Sequence, residues 1–461
     1  MSKGQLQEAF RQTAEWISTN DWRGAWAVCS ALSTLTVDLL PNLPLADSKA
    51  DAWIACIDVE AGVIKLDVGF LAEDSAAAPV NATAVAASLI NTKPLPAALV
   101  YQLRERLKAT PDAKTLGELY PEAPPLSGDQ AMICLPCEIT PSWSRWINSV
   151  GIYARSIGID NLLAALITGD FGHIPRSKIH YAVAGKDEIW SACDRLFQQI
   201  GWGNAARDSG QIVGFGSRIV SKADALQRAV AFLYSKSESV RPARRDRDLA
   251  RLLEFHNRYT KYVACELALL LALRQTKAYP LFADIDECAD LWVDVEDKKI
   301  PGPPGSLPVA LCTRAKKLIG CFRIHCFAVA GRIENLGGTG TVFHEWLLAV
   351  VNGEPVGLLC TASSLARIQR VGSHAVFGSL DPDIAIAHDA GRKWLENTLR
   401  YQGLRTGDID AMLRHHIVGQ SRSCSTSDFI LVEWCQRVSK AIDAVANQLF
   451  GKVNSGLARR H

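Results

Sequence analysis

The chain has 461 residues, of which 48% are hydrophobic and 21% charged. This is the composition of a folded protein of roughly two to four domains, well outside the polar composition that keeps chains disordered. Net charge is only +2, which excludes a globally basic nucleic-acid binder. The charge is nonetheless uneven: residues 1–125 carry 10 Lys+Arg against 15 Asp+Glu, so the basic excess lies entirely in the remainder. Arginine supplies 31 of the 50 basic residues, the side chain whose planar fork matches phosphate oxygens. The opening residues Met1–Trp16 lack the apolar core of a signal peptide, and no run approaches 18 uninterrupted apolar residues, so a cytoplasmic protein with no membrane partner is expected. Thirteen scattered cysteines suit a reducing compartment and lack the density of a disulfide scaffold.

In chain order, residues 6–17 and 22–35 carry helical periodicity, and 53–70 an apolar alternating run. Pro121-Glu-Ala-Pro-Pro-Leu-Ser-Gly128 is a strong loop signal, and a domain boundary is placed there. Residues 142–157, 160–168, 187–200 and 222–234 again read as helices, which predicts a small all-helical domain over 126–240. The stretch 237–248 holds Arg241, Arg244, Arg245 and Arg247 and reads either as a phosphate-touching linker or as a solvated helix start. A long helix is predicted over 249–275, with Leu252, Phe255, Tyr259, Tyr262, Val263, Leu267, Leu270 and Leu271 near one face. Leu291–Val295 and Leu307–Leu311, separated by a Lys-Lys and Pro/Gly stretch, predict a loose β-hairpin. Helices follow over 390–401, 408–413 and 429–449. The expected fold class is therefore mainly α with a small β region (α+β), with an additional N-terminal α/β domain over 1–125 and a last domain over 241–461.

Two patterns are set aside. Asn335-Leu-Gly-Gly-Thr-Gly-Thr-Val342 lacks the Gly-Lys-Ser/Thr ending of a phosphate loop and reads as a turn, and His344-Glu345 has no second histidine four positions on. Cys134 and Cys137 lack a second pair, and Cys321, His325 and Cys326 are crowded for a zinc site, so no metal or cofactor is expected.

Four pieces follow one another in the remaining sequence: Leu269-Leu-Leu-Ala-Leu-Arg274; Val295-Glu-Asp-Lys-Lys-Ile300 with Leu307-Pro-Val-Ala-Leu311; His388-Asp-Ala-Gly-Arg392; and Ile409-Asp-Ala-Met-Leu-Arg-His415. Their order resembles the catalytic domain of tyrosine recombinases, the phage-integrase superfamily, with residues 126–240 similar to its helical core-binding domain. The resemblance implies a clamp on double-stranded DNA. Arg274 and Arg392 would hold a phosphate, with Lys277 competing with Arg274 for the first place. Lys298, or its neighbour Lys299, would act as general acid, and His388 and His415 would be donors. Fixed guanidiniums and imidazoles stabilise the extra charge of a phosphorane-like transition state, and a lysine protonates the leaving oxygen. The sequence departs from the pattern in three ways. The usual glycine before the first arginine is absent, and His388 and Arg392 are spaced four apart rather than three, a change that one helix face would absorb. The third concerns the nucleophile: the last tyrosine, Tyr401, precedes His415, and Gly419–Asp428 contains none.

The resemblance thus implies a DNA-binding protein acting in integration or recombination of a mobile element and defective in cleavage by itself. Two alternatives stay open. One is an active recombinase that uses Ser423, Cys424, Ser425 or Ser427, or a tyrosine donated by a partner recombinase or a second copy. The other is a helical interaction scaffold.

Overall fold

A computed structural model describes residues 3–35, 38–45, 55–67, 87–88, 90–124, 143–171, 183–207, 214–216, 220–296, 306–414 and 430–457. The protein is mainly helical with small, mostly antiparallel sheets. The described residues up to 216 form one compact unit and those from 220 another. Among the described residues, no helix is long and apolar enough to cross a membrane.

The first unit opens with helices α1 (Lys3–Ser18) and α2 (Trp22–Ser33). Asp21 caps α2, its carboxylate accepting from the Arg23 N–H. Strands β1 (Ala55–Asp58) and β2 (Val63–Asp67) are the alternating run of the sequence, folded as a hairpin. Beyond the short β3 (Ala87–Ser88), β4 (Ile90–Pro94) completes a β1-β2-β4 sheet. Helices α3 (Ala97–Ala109), α4 (Leu116–Leu119), α5 (Trp143–Ser156) and α6 (Asn161–Thr168) follow, then β5 (Val183–Ala184), α7 (Lys186–Ile200) and β6 (Gly214–Gly216). Strand β6 pairs parallel with β3 and antiparallel with β5.

The boundary expected near 125 does not separate two cores. Trp146 of α5 is buried against Phe10 of α1, with ring centroids 5.6 Å apart, and its indole N–H donates to the Ala27 carbonyl of α2 at 3.1 Å. Helices α5 to α7 therefore complete the core of the N-terminal segment. Burial of their apolar faces, not the Pro/Ser/Gly composition of the preceding loop, decides where the unit ends.

The second unit begins with α8 (Ala223–Glu238), which packs on the long α9 (Leu249–Leu270). The helical segment expected over 126–240 is thus divided between the two units. Asp248 caps α9, and all eight residues predicted to share a face are buried. The hairpin β7 (Trp292–Glu296) and β8 (Ser306–Ala310) pairs as predicted, with Trp292 opposite Ala310. Next come α10 (Thr313–Asn335) and α11 (Val342–Asn352), joined by the predicted glycine turn, where Gly337 and Gly340 have positive φ. A second hairpin, β9 (Cys360–Ser364) with β10 (Arg367–Arg370), precedes α12 (Ser373–Phe377), α13 (Ala390–Tyr401), α14 (Thr406–Met412) and α15 (Leu431–Phe450).

Residues after α15 are tied to this core by backbone recognition. Arg314, ion-paired with Glu266 in the interior, donates to the Phe450 and Gly451 carbonyls. Tyr259 donates to the Asn454 carbonyl at 3.1 Å, and Arg241 donates to those of Ser455 and Gly456. The Leu457 N–H donates to His325 Nδ1 at 3.0 Å, which places that ring's proton on Nε2. This proton is donated to His256 Nδ1 at 3.2 Å, and His256 Nε2–H to the Cys360 carbonyl at 3.0 Å. Both imidazoles are neutral, and burial holds His256 down to about 4. The crowded Cys321, His325 and Cys326 segment is accordingly a core element. Among the described residues, no group of His, Cys, Asp and Glu could hold a metal ion.

Among the described residues of the first unit, Lys93 is a charge-bearing side chain buried without a counter-ion. Lys93 of β4 is fully buried and donates to the Leu166 carbonyl at 2.8 Å, beside Asn91, which donates to the same oxygen. Burial pushes its ammonium down to about 7. The unfolded chain keeps this lysine protonated up to about 10.4, so between the two values the unfolded state binds more protons. Stability of this unit is predicted to rise with pH from 7 to about 10, by up to ~1.4 kcal/mol per pH unit. Lys93→Met should remove that slope and raise the urea midpoint at pH 7. An unchanged slope would show that Lys93 is not its source.

Candidate functional site

The sequence places its first key arginine just past a long helix, and the structure shows how that helix is stopped. Helix α9 ends at Leu270, not at 275 as predicted. Ala272 adopts φ +48° and the Leu273 N–H turns back to the Ala268 carbonyl at 3.1 Å. This is a Schellman-type ending with alanine at the left-handed position that glycine usually fills. Arg274 follows immediately, half-buried, with Gln275 and Lys277 exposed beyond it.

Two further arginines converge on the same turn. Arg392 of α13, only 1% exposed, donates Nη1–H to the Ala272 carbonyl at 3.3 Å and Nη2–H to the Leu413 carbonyl. Arg414, 2% exposed and itself at φ +56°, donates to the Leu271 and Ala272 carbonyls. Cationic donors at a helix carboxyl end complement both its orphan carbonyls and its negative dipole end. Arg392 was expected to hold a phosphate directly. In this structure its guanidinium instead braces the turn that carries Arg274. A hydrogen bond to the residue two before Arg274 places the two arginines at one spot in the fold.

The close approach has a steric requirement. Gly391 lies against α9 so tightly that a Cβ there would sit 2.6 Å from the Ala268 carbonyl oxygen and 2.7 Å from Leu269 Cα. On the other side, residues 276–279 pair with 371–373: the Tyr279 N–H donates to the Val371 carbonyl at 2.8 Å and the Ser373 N–H to that of Thr276 at 3.0 Å. Gly372 permits this, since a Cβ would overlap the Thr276 and Lys277 carbonyls.

His388 lies in the turn before α13, with Asp389 at the N-cap position. The expectation that His388 and Arg392 share a helix face is therefore corrected, because the helix begins only at Ala390. The chain turn, not helical spacing, brings the ring near. It packs against His374 of α12, with centroids 4.6 Å apart, and against Phe377 at 5.7 Å. Burial, then the neighbouring His374, hold His388 below the ordinary imidazole range, while Asp389 pulls the other way. Asp389 is itself paired with Lys393 at 3.1 Å.

Lys298 and its neighbour Lys299, His415, and the segment containing Ser423, Cys424, Ser425 and Ser427 lie outside the described residues. Of the 237–248 arginines, Arg241 is engaged by Glu238 and by the carbonyls near the C-terminus, whereas Arg244, Arg245 and Arg247 are exposed. Sequence reasoning missed Arg414, although it adjoins His415, and also His374 and Gln275, which no motif marked.

The division of labour among the arginines is measurable. Arg414→Ala should cost about 1.5–3 kcal/mol in urea unfolding through lost charged hydrogen bonds, and Gly391→Ala about 1–3 kcal/mol through overpacking against α9. Arg274→Ala should cost under about 1 kcal/mol. Equal losses at Arg274 and Arg414 would contradict the assignment. No protein-family model, curated protein or solved structure matches the chain.

Proposed function

We propose that this protein binds duplex DNA through its second unit, in the manner of a tyrosine recombinase or integrase, and serves integration or recombination of a mobile element without cleaving DNA by itself. The observation that carries the reading is the gathering of Arg274, His388 and Arg392, distant in sequence, at the carboxyl end of α9. That is the arrangement the resemblance implies for residues serving one phosphate. Left-handed Ala272 supports Arg274 over Lys277, because it does the backbone work of the glycine that usually precedes the first arginine. Arg274 and His388 meet the phosphate in this reading, and Arg392 and Arg414 hold the turn.

The exposed Arg244, Arg245 and Arg247 add backbone contacts that carry no sequence information. The lack of a tyrosine in residues 419–428, where the resemblance expects it, leaves the arrangement suited to holding DNA rather than forming a 3′-phosphotyrosine. A partner recombinase or a second copy of the chain would supply strand cleavage.

Binding to duplex DNA from the protein's own genomic neighbourhood, across a salt series, tests this. Affinity should fall steeply with salt as counterion release requires. Arg274→Ala should weaken binding and lower the log–log slope by about one. A denaturing gel should show no covalent adduct. An adduct lost on substituting one residue of 421–428 would replace this reading with an active enzyme using another nucleophile, and no binding at any salt would favour the interaction scaffold.

A further inference from the structure

Helix α10 (Thr313–Asn335) buries one face in the core of the second unit, through Leu318, Phe322, Val329 and Ile333 among others. Its opposite face carries Ile324, 55% exposed, and Phe327, 49% exposed. Around them, Lys317 and Glu334 are exposed and Gly320 and Gly331 partly so. Lys317, Gly320, Ile324, Phe327, Gly331 and Glu334 follow one another at alternating three- and four-residue steps, the spacing of a coiled-coil seam.

The glycines of this seam are not explained by the packing of the chain on itself. Glycine inside a helix is destabilising relative to alanine, yet among the described residues a Cβ at Gly331 would meet no atom within 4 Å, and one at Gly320 would come no closer than 3.4 Å to the Glu287 carboxylate. The order of the six residues is also self-complementary. About the midpoint between His325 and Cys326, Ile324 mirrors Phe327, Gly320 mirrors Gly331 and Lys317 mirrors Glu334. Two copies of the helix packed antiparallel about a two-fold axis bring each residue opposite its mirror position in the other copy. Apolar then meets apolar at the centre, glycine meets glycine on either side so that the backbones approach closely, and ammonium meets carboxylate at both ends. A parallel arrangement would set lysine against lysine and glutamate against glutamate.

The charges bordering the seam leave the end pairs available. Lys317 has no ion-pair partner among the described residues. Glu334 is half-exposed and accepts from His344 Nε2 at Oε1, 3.1 Å away. Glu287, beside Gly320, is already paired with Arg323. We infer that this face of α10 is a self-docking surface, taking the same face of a second copy of the chain in an antiparallel, two-fold dimer. The inference is independent of DNA binding.

Sedimentation of the full chain over a concentration series, without DNA, tests it. A reversible dimer with a Kd on the order of 1–100 μM is expected, since one helix pair is a small interface. Ile324→Asp should weaken it more than about tenfold, because apolar contact is lost at the centre and two-fold symmetry counts each change twice. Lys317→Glu and Glu334→Lys should each weaken self-association by roughly three- to tenfold. An equimolar mixture of these two variants should form a mixed dimer at least as tight as wild type, because both ends then pair opposite charges, and this recovery excludes misfolding as the cause of the loss. A monomer at every concentration would assign the face to another partner or to none and overturn the inference. So would a dimer that Ile324→Asp leaves intact, or a mixture no tighter than either variant alone.

Discussion

A helix that ends inside a folded unit leaves carbonyls that must be satisfied, and in the second unit this requirement organises what surrounds it. Helix α9 delivers its carboxyl end into the interior, where water cannot serve it. The solution is a left-handed alanine and two buried arginines from separate parts of the chain. Left-handed Ala272 is a strained choice, since an L-residue there costs about 1–2 kcal/mol relative to right-handed backbone. Arg414, which braces it, sits in the same region of backbone space. Such strain persists only where surrounding contacts over-determine it, and it concentrates at functional turns.

The same constraint explains how a protein can hold arginines in a recombinase-like order and yet spend two of them on its own backbone. A guanidinium 1% exposed and bonded to carbonyls is a brace. It fixes Arg274 on a rigid turn, and in the proposed DNA-binding reading such a pre-positioned donor binds at lower conformational cost than a mobile one. In that reading, positioning falls to Arg392 and Arg414 and phosphate contact to Arg274 and His388.

Much of this was legible in the sequence, for identifiable reasons. The existence of α9, the β7–β8 hairpin and helices α13 to α15 follows from apolar period, which is local. The end of α9 was misread by a few residues because Ala272 gives no glycine signal. The β9–β10 hairpin was unread because Leu365 and Ala366 at its tip lack turn chemistry. The boundary near 125 failed because loop composition cannot distinguish a linker from a loop within one core. Only the packing of Trp146 on α1 and α2 decides that. Within the site, the order of Arg274, His388 and Arg392 was legible, while the contribution of His374 was not. Its position depends on Gly372 meeting the backbone of 276–277, a tertiary contact without a local pattern.

If this protein binds DNA as proposed, the turn after α9 is where it meets a phosphate. Amide hydrogen exchange of the full chain with and without duplex DNA measures that directly. New protection is predicted in peptides covering 273–277, 372–376 and 388–392. Protection confined to residues before 216, with this turn unchanged in the presence of bound DNA, would contradict it.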